Sequence, residues 1–195
     1  MISKEHYQEI ATKYGGYASW AIWADAGATP KSNIGDVSMF DIERNSAILN
    51  VLNPNIVLVG LNISRPLYTK LFVNFHDSYF RGNDFKIRHA SQNTILWGAY
   101  MTDVIKDFAN VTAGHVMKYL KANPVFCEEN LASFEKEISD LWCENPKIFA
   151  FGGDAYKLLV KRFGSKYDIT KLRHYSDYRL GPEEYREEVI QLINK

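Results

Sequence analysis

Ile56-Val57-Leu58-Val59-Gly60-Leu61-Asn62 is an apolar run that ends on an amide. Asn53-Pro54-Asn55 punctuates its front and Ser64-Arg65-Pro66 its end. A short run rich in β-branched residues, without polar alternation, fits a strand covered on both faces. Such a strand belongs at the centre of a parallel sheet with helices above and below. In these sheets ligands sit outside the carboxyl ends of the strands. Asn62 stands at that end, either as a turn residue closing a core strand or as a group that meets a ligand.

Three further runs complete a predicted four-stranded sheet: residues 99–105, 147–153 and the less apolar 168–174. Between the second and third, Leu131, Phe134, Ile138 and Leu141 share one helix face. Asp154 reads as an N-cap for a helix that runs to Phe163 and stops at Gly164. The last helix opens at Pro182 with Glu183 and Glu184 in its first turn, and turns Tyr185, Val189 and Leu192 inward. Strands alternating with helices predict a three-layer α/β/α domain around a mainly parallel sheet. No repeat, low-complexity tract or linker divides residues 1–195, so they read as one domain.

Residues 1–53 form a helical extension and loop packed on that domain. Tyr7, Ile10, Tyr14, Tyr17, Trp20 and Trp23 mark an apolar stripe that predicts a helix or helix pair over 4–24. Residues 25–39 read as a loop, long enough to serve as a lid or rim. Residues 41–52 return to helical character with Ile42, Ala47 or Ile48, and Val51 inward. Residues 63–89 alternate aromatic and basic side chains on an excursion from a strand end, and a short helix follows over 90–97. Aromatic faces stack bases and arginines hold phosphates, although a loop can also bury its own aromatics.

Composition narrows the function classes. With 46% hydrophobic and 14% aromatic residues, the 195-residue chain has ample material for a core. No apolar run reaches the roughly 18 residues of a membrane span, and the N-terminus lacks a signal-peptide core. Cys127 and Cys143 suggest neither a disulfide framework nor a zinc site, which fits a reduced, cytoplasmic protein. The histidines at 6, 76, 89, 115 and 174 show no ligand spacing, so no metal is expected. No cofactor is implied, and a monomer is the expectation. The formal net charge is zero, so nucleic-acid binding must come from a local patch. Walker, dinucleotide, H-E-x-x-H and G-x-S-x-G patterns are absent. Polar groups do stand at three strand ends: Asn62, Asp103, and His174 with Ser176. Parallel strands would bring them to one crevice.

At these positions the chain resembles the uracil-DNA glycosylase superfamily. Gly60-Leu61-Asn62-Ile63-Ser64 is similar to its first active-site motif, which in the mismatch-specific branch reads glycine, any residue, asparagine, proline, glycine. His174-Tyr175-Ser176-Asp177-Tyr178-Arg179 resembles the second, histidine-proline-serine and a short loop. Residues 149–156 resemble the strand and helix start before that motif, and 98–103 the middle strand. The likeness covers about residues 54–195.

The resemblance implies a DNA glycosylase-like hydrolase that cleaves the N-glycosidic bond of uracil or a related damaged base, with DNA as partner. The target nucleotide must be flipped out of the stack. His174 would donate to the base O2 and Asn62 would position the attacking water. Gly60, Leu61, Phe72, Phe75 and Asp103 would contact the base, Phe72 or Phe75 by stacking and Asp103 by reading its edge. Ser64, Arg65, Ser176 and Arg179 would hold phosphate. Lys157, Lys161, Arg162, Lys166, Lys171, Arg173 and Arg179 would supply the positive patch.

Four features depart from the family pattern. Ile63-Ser64 replaces proline-glycine, Tyr175 replaces proline, and Asp177 sets a negative charge where phosphate should approach. Asp103 is an acceptor where the uracil branch favours an amide, which opens the site to another base. The alternatives are a non-catalytic protein of the same fold that binds nucleic acid, a nucleotide or a protein, and an enzyme acting on free nucleosides or nucleotides.

Overall fold

A computed structural model describes residues 2–65 and 70–194. Pro66, read as part of the turn closing the central strand, lies outside the described residues.

The four expected strands are present as β2 (Asn53–Asn62), β3 (Ala99–Ile105), β4 (Lys147–Phe151) and β5 (Ile169–Leu172), with a short fifth, β1 (Ser19–Trp20), at one edge. Their order is β1-β3-β2-β4-β5. β2, β3, β4 and β5 are mutually parallel, and β1 pairs antiparallel with β3. The sheet is therefore five-stranded and mixed rather than four-stranded. The extra strand comes from a segment expected to be helical. Helix α1 (Lys4–Tyr14) is capped by Ser3, whose hydroxyl accepts the His6 N–H, and ends at Gly15. The chain then turns through Gly15-Gly16, and residues 18–22 run along the free edge of β3. Tyr7, Ile10 and Tyr14 keep the helix stripe, whereas Trp20 and Trp23 bury from the strand and its continuation.

Side chains alternate along the strands between two apolar clusters. Val57 and Val59 of β2 join α1, α3 (Ala113–Ala122), α4 (Pro124–Ser139) and α5 (Gly153–Phe163). Ile56 and Leu58 join α2 (Asp84–Ser91) and α6 (Pro182–Ile193). The α4 stripe is buried at Leu131, Phe134 and Ile138. In the first cluster Lys106 and Glu137 form a buried ion pair at 2.8 Å, and the Tyr100 hydroxyl donates to the same carboxylate at 2.8 Å.

Several boundaries move. The 41–52 segment forms 3-10 turns at Ser38–Phe40 and Ser46–Asn50, which bury Ile42, Ile48 and Leu52 and leave Val51 exposed. The helix expected over 90–97 is not there: α2 spans Asp84–Ser91, and residues 92–97 form turns. The N-cap of α5 is Gly152, so Asp154 sits in the first turn, where its charge complements the helix dipole. Ile193 takes the inward place expected of Leu192.

Candidate active site

The strand order fixes where a crevice must open. The chain leaves β2 for β3 on one side and leaves β4 for β5 on the other, so the connections diverge between β2 and β4. Crevices in open parallel sheets form at such switch points, outside the carboxyl ends. A cavity of about 450 Å³ lies there, within the roughly 300–1,000 Å³ usual for small-molecule sites. It is lined by the end of β2, the 64–84 excursion, Asp103 of β3, the start of α5, and residues 174–176 beyond β5.

Asn62 and His174 both line it. The Asn62 amide is held by its nitrogen: Nδ2 donates to the carbonyl oxygens of Ile63 (2.9 Å), Phe108 (3.2 Å) and Asn110 (2.8 Å). That leaves Oδ1, an acceptor, with no protein donor among the described residues. The same bonds tie the loop after β3 to the end of β2, so Asn62 is both a strand-end clamp and a cavity group.

His174 is oriented from the opposite side. Its Nδ1 accepts the backbone N–H of Ser176 at 3.1 Å and lies 3.0 Å from the Ser176 hydroxyl. A nitrogen that accepts an N–H carries no proton, so the neutral ring bears its proton on Nε2. Nε2 has no protein partner among the described residues. Burial pushes the imidazole below its ordinary range, with the Asp177 charge acting the other way. His174 stacks on Tyr175 with centroids 4.6 Å apart, so Tyr175 fixes the ring plane where the family pattern has proline. Gly152, at φ +86° and ψ 172°, adopts a conformation that only glycine takes easily and lets α5 begin beside this ring. The first-turn N–H groups of α5, which have no intrahelical acceptor, open at the same place.

The remaining site residues divide. Gly60, Leu61, Phe75, Asp103, Ser64, Arg65 and Ser176 all line the cavity. Phe75 is nearly buried, at φ 63°, and packs its ring against Phe151 and Tyr175. Phe72 is not brought there. It is 1% exposed in the opposite cluster, against Tyr7 and Phe40, because its backbone N–H is drawn to the Gly15 carbonyl. Arg179 does not line the cavity either. It is exposed and bound to Asp177, with Nη2 2.7 Å from the carboxylate. Arg173 bonds the same carboxylate, and the bonds from Arg179 hold Asp177 well below the usual carboxyl range. The negative charge expected to repel phosphate at Asp177 is thus shared between two guanidinium groups.

The basic run is also largely compensated. Arg162, Lys166, Arg173 and Arg179 pair with carboxylates, whereas Lys157, Lys161 and Lys171 are exposed and have no ion pair among the described residues. At the mouth, Arg65 pairs with Asp77 at 3.2 Å and lies over the Tyr79 ring, and Arg81 lies over Phe80.

Asp84 and Arg81 were not singled out from sequence, and Tyr175 only as a replacement for proline. Asp84 begins α2 and reads as an ordinary first-turn acid, yet it is 7% exposed and accepts the Asp77 N–H at 2.8 Å. Burial raises it to about 7 and Asp103 to about 6. Val111, which lines the cavity, is 76% exposed, and Phe80 (67%) and Tyr178 (92%) also present apolar surface to solvent. Lys86 is buried and donates to the carbonyls of Asp177 and Leu180, which pins the loop carrying Tyr178 against α2.

Among the described residues no group of three or more His, Cys, Asp or Glu side chains could hold a metal ion, and no helix is long and apolar enough to cross a membrane. Searches of family models, curated proteins and solved structures return no match to this chain.

Proposed function

We propose that the cavity hydrolyses the N-glycosidic bond of a nucleotide base flipped out of DNA, and that the helices on both faces of the sheet make an α/β/α sandwich of uracil-DNA glycosylase type. The observation that carries this reading is the complementary bonding of Asn62 and His174. Each has one polar atom tied to the protein and the other untied, and both residues line one cavity at the switch point. The untied atoms are an acceptor and a neutral donor.

Those are the two groups that hydrolysis of this bond needs. Water held by Asn62 Oδ1 attacks the anomeric carbon, and the carbon–nitrogen bond breaks with its electron pair passing to the base. The His174 Nε2–H stabilises the charge that grows on the base oxygen, a preorganised electrostatic effect. An amide cannot take the water proton outright, so that proton passes through solvent to the departing base. Phe75 supplies the aromatic wall. Arg65, Arg81 and the α5 N-terminus face the mouth, where the flanking phosphates belong. Tyr178, exposed two residues beyond the cavity-lining Ser176, would be the side chain that fills the space a flipped nucleotide leaves, as apolar wedges do in other DNA binders.

A second reading, an enzyme of free nucleosides or nucleotides, is favoured by one observation: most of the basic run is already paired with carboxylates. Incubation with oligonucleotides carrying uracil or damaged bases, followed by alkali, tests the first reading. Strand breaks at the modified base are expected. Hydrolysis of nucleosides with no break on any oligonucleotide selects the second.

A further inference from the structure

The cavity is chemically polarised from one end to the other. Asp103 of β3 lies on one side of β2, and His174 follows β5 on the other. β3 and β5 are three strand spacings apart, roughly 14 Å.

The two carboxylates are built alike. Asp103 is 4% exposed and Asp84 7%. One oxygen of each is satisfied from within: Asp103 Oδ2 accepts from Asn74 Nδ2 at 2.8 Å, and Asp84 Oδ2 accepts from the Asp77 N–H at 2.8 Å. The other oxygen of each has no protein donor among the described residues, and neither carboxylate has an ion-pair partner there. Gly60 stands against Asp103 Oδ1, so the absence of a side chain at position 60 is what admits that oxygen.

Uracil offers a poor match to this end, because its far edge carries a carbonyl oxygen that would face unpaired carboxylate oxygens. Resting on the reading of the cavity as a base pocket, we infer that it selects a base with a carbonyl oxygen beside the glycosidic nitrogen and an amino group on the far edge, the cytosine pattern rather than the uracil pattern. The carbonyl meets His174 Nε2–H and the amino group meets Asp103 Oδ1.

Two oligonucleotides identical except for 5-hydroxycytosine in one and 5-hydroxyuracil in the other isolate the far edge. Abasic sites are read after alkali, and binding of free cytosine and uracil is measured by calorimetry. Excision of the amino-bearing lesion at least tenfold faster, or tighter binding of cytosine where excision is absent, is expected. Asp103→Asn should narrow or reverse the preference, since the amide oxygen still accepts from Asn74 while its NH₂ meets a carbonyl. Gly60→Ala, whose methyl group displaces Asp103 Oδ1, should likewise narrow the preference and serves if Asp103→Asn does not fold. Excision of 5-hydroxyuracil at an equal or faster rate overturns the inference and upholds base excision. Preferential binding of cytosine with no excision upholds the inference and overturns base excision in DNA. No binding and no excision of any base overturns both.

Discussion

Gly60 and Asp103 are register partners on adjacent parallel strands, and Asp103 Oδ1 lies 2.1 Å from where a β-carbon at position 60 would stand. A methyl group there must displace the carboxylate, because β2 is central and cannot give way. Gly60→Ala is expected to reduce base binding at least tenfold while destabilising the fold by about 1–3 kcal/mol, the usual range for overpacking. Calorimetric titration beside thermal denaturation checks both numbers. An unchanged affinity would mean that Asp103 does not touch the ligand.

Asn62 and His174 should separate by stability. Removing one preorganised polar group from such a site lowers turnover by roughly 10²–10³-fold, so both Asn62→Ala and His174→Ala should lose activity on that scale. Only Asn62 also clamps the loop after β3, through three carbonyls. Asn62→Asp should be the worse fold, since it sets a carboxylate oxygen against those carbonyls. Chemical denaturation should rank His174→Ala as the more stable of the three.

The buried carboxyls give stability a definite pH dependence. Burial raises both above their unfolded value of 3.8, Asp103 to about 6 and Asp84 to about 7. Their contribution is full below the unfolded value and is lost as pH rises through those values. The wild-type melting temperature should therefore fall between about pH 4 and pH 7. Asp84→Asn should flatten that fall and stabilise the protein at pH 8, on the order of a few kcal/mol. A melting temperature unaffected by the substitution at pH 8 would show that Asp84 is not desolvated.

The pair of Lys106 and Glu137 lies in the opposite cluster, and Lys106 Nζ also donates to the Asp103 carbonyl at 2.7 Å, so its removal should first be read as a loss of stability. Their side chains are 5% and 0% exposed. Truncating either leaves an uncompensated buried charge, so Lys106→Ala should cost about 3–5 kcal/mol. Denaturant unfolding measures this directly.

How far the sequence could be read follows from how local each feature is. β2, β3 and β4 were legible because both faces are buried, which leaves an unbroken apolar run, whereas the edge strand β5 is short and only partly buried. β1 was not, since Ser19-Trp20 is too short to show a period and its pairing with β3 depends on an edge nothing nearby announces. Asn62 and His174 were legible because each ends a strand in a motif. Phe72 and Phe75 could not be told apart: both are aromatics in the left-handed region three residues apart, and only tertiary bonding sends one to each cluster. Asp84 was hidden because its burial comes from α2 lying under the 174–181 loop, a contact about ninety residues away in sequence.

The pairing of an acceptor at Asn62 with a neutral donor at His174 is tested most directly by single-turnover release of a base from a modified oligonucleotide. Wild-type protein should release base and leave an alkali-labile site, with rates 10²-fold or more lower for His174→Ala at unchanged fold stability. Base release that survives loss of both side chains, or no release from any modified oligonucleotide, would contradict the assignment.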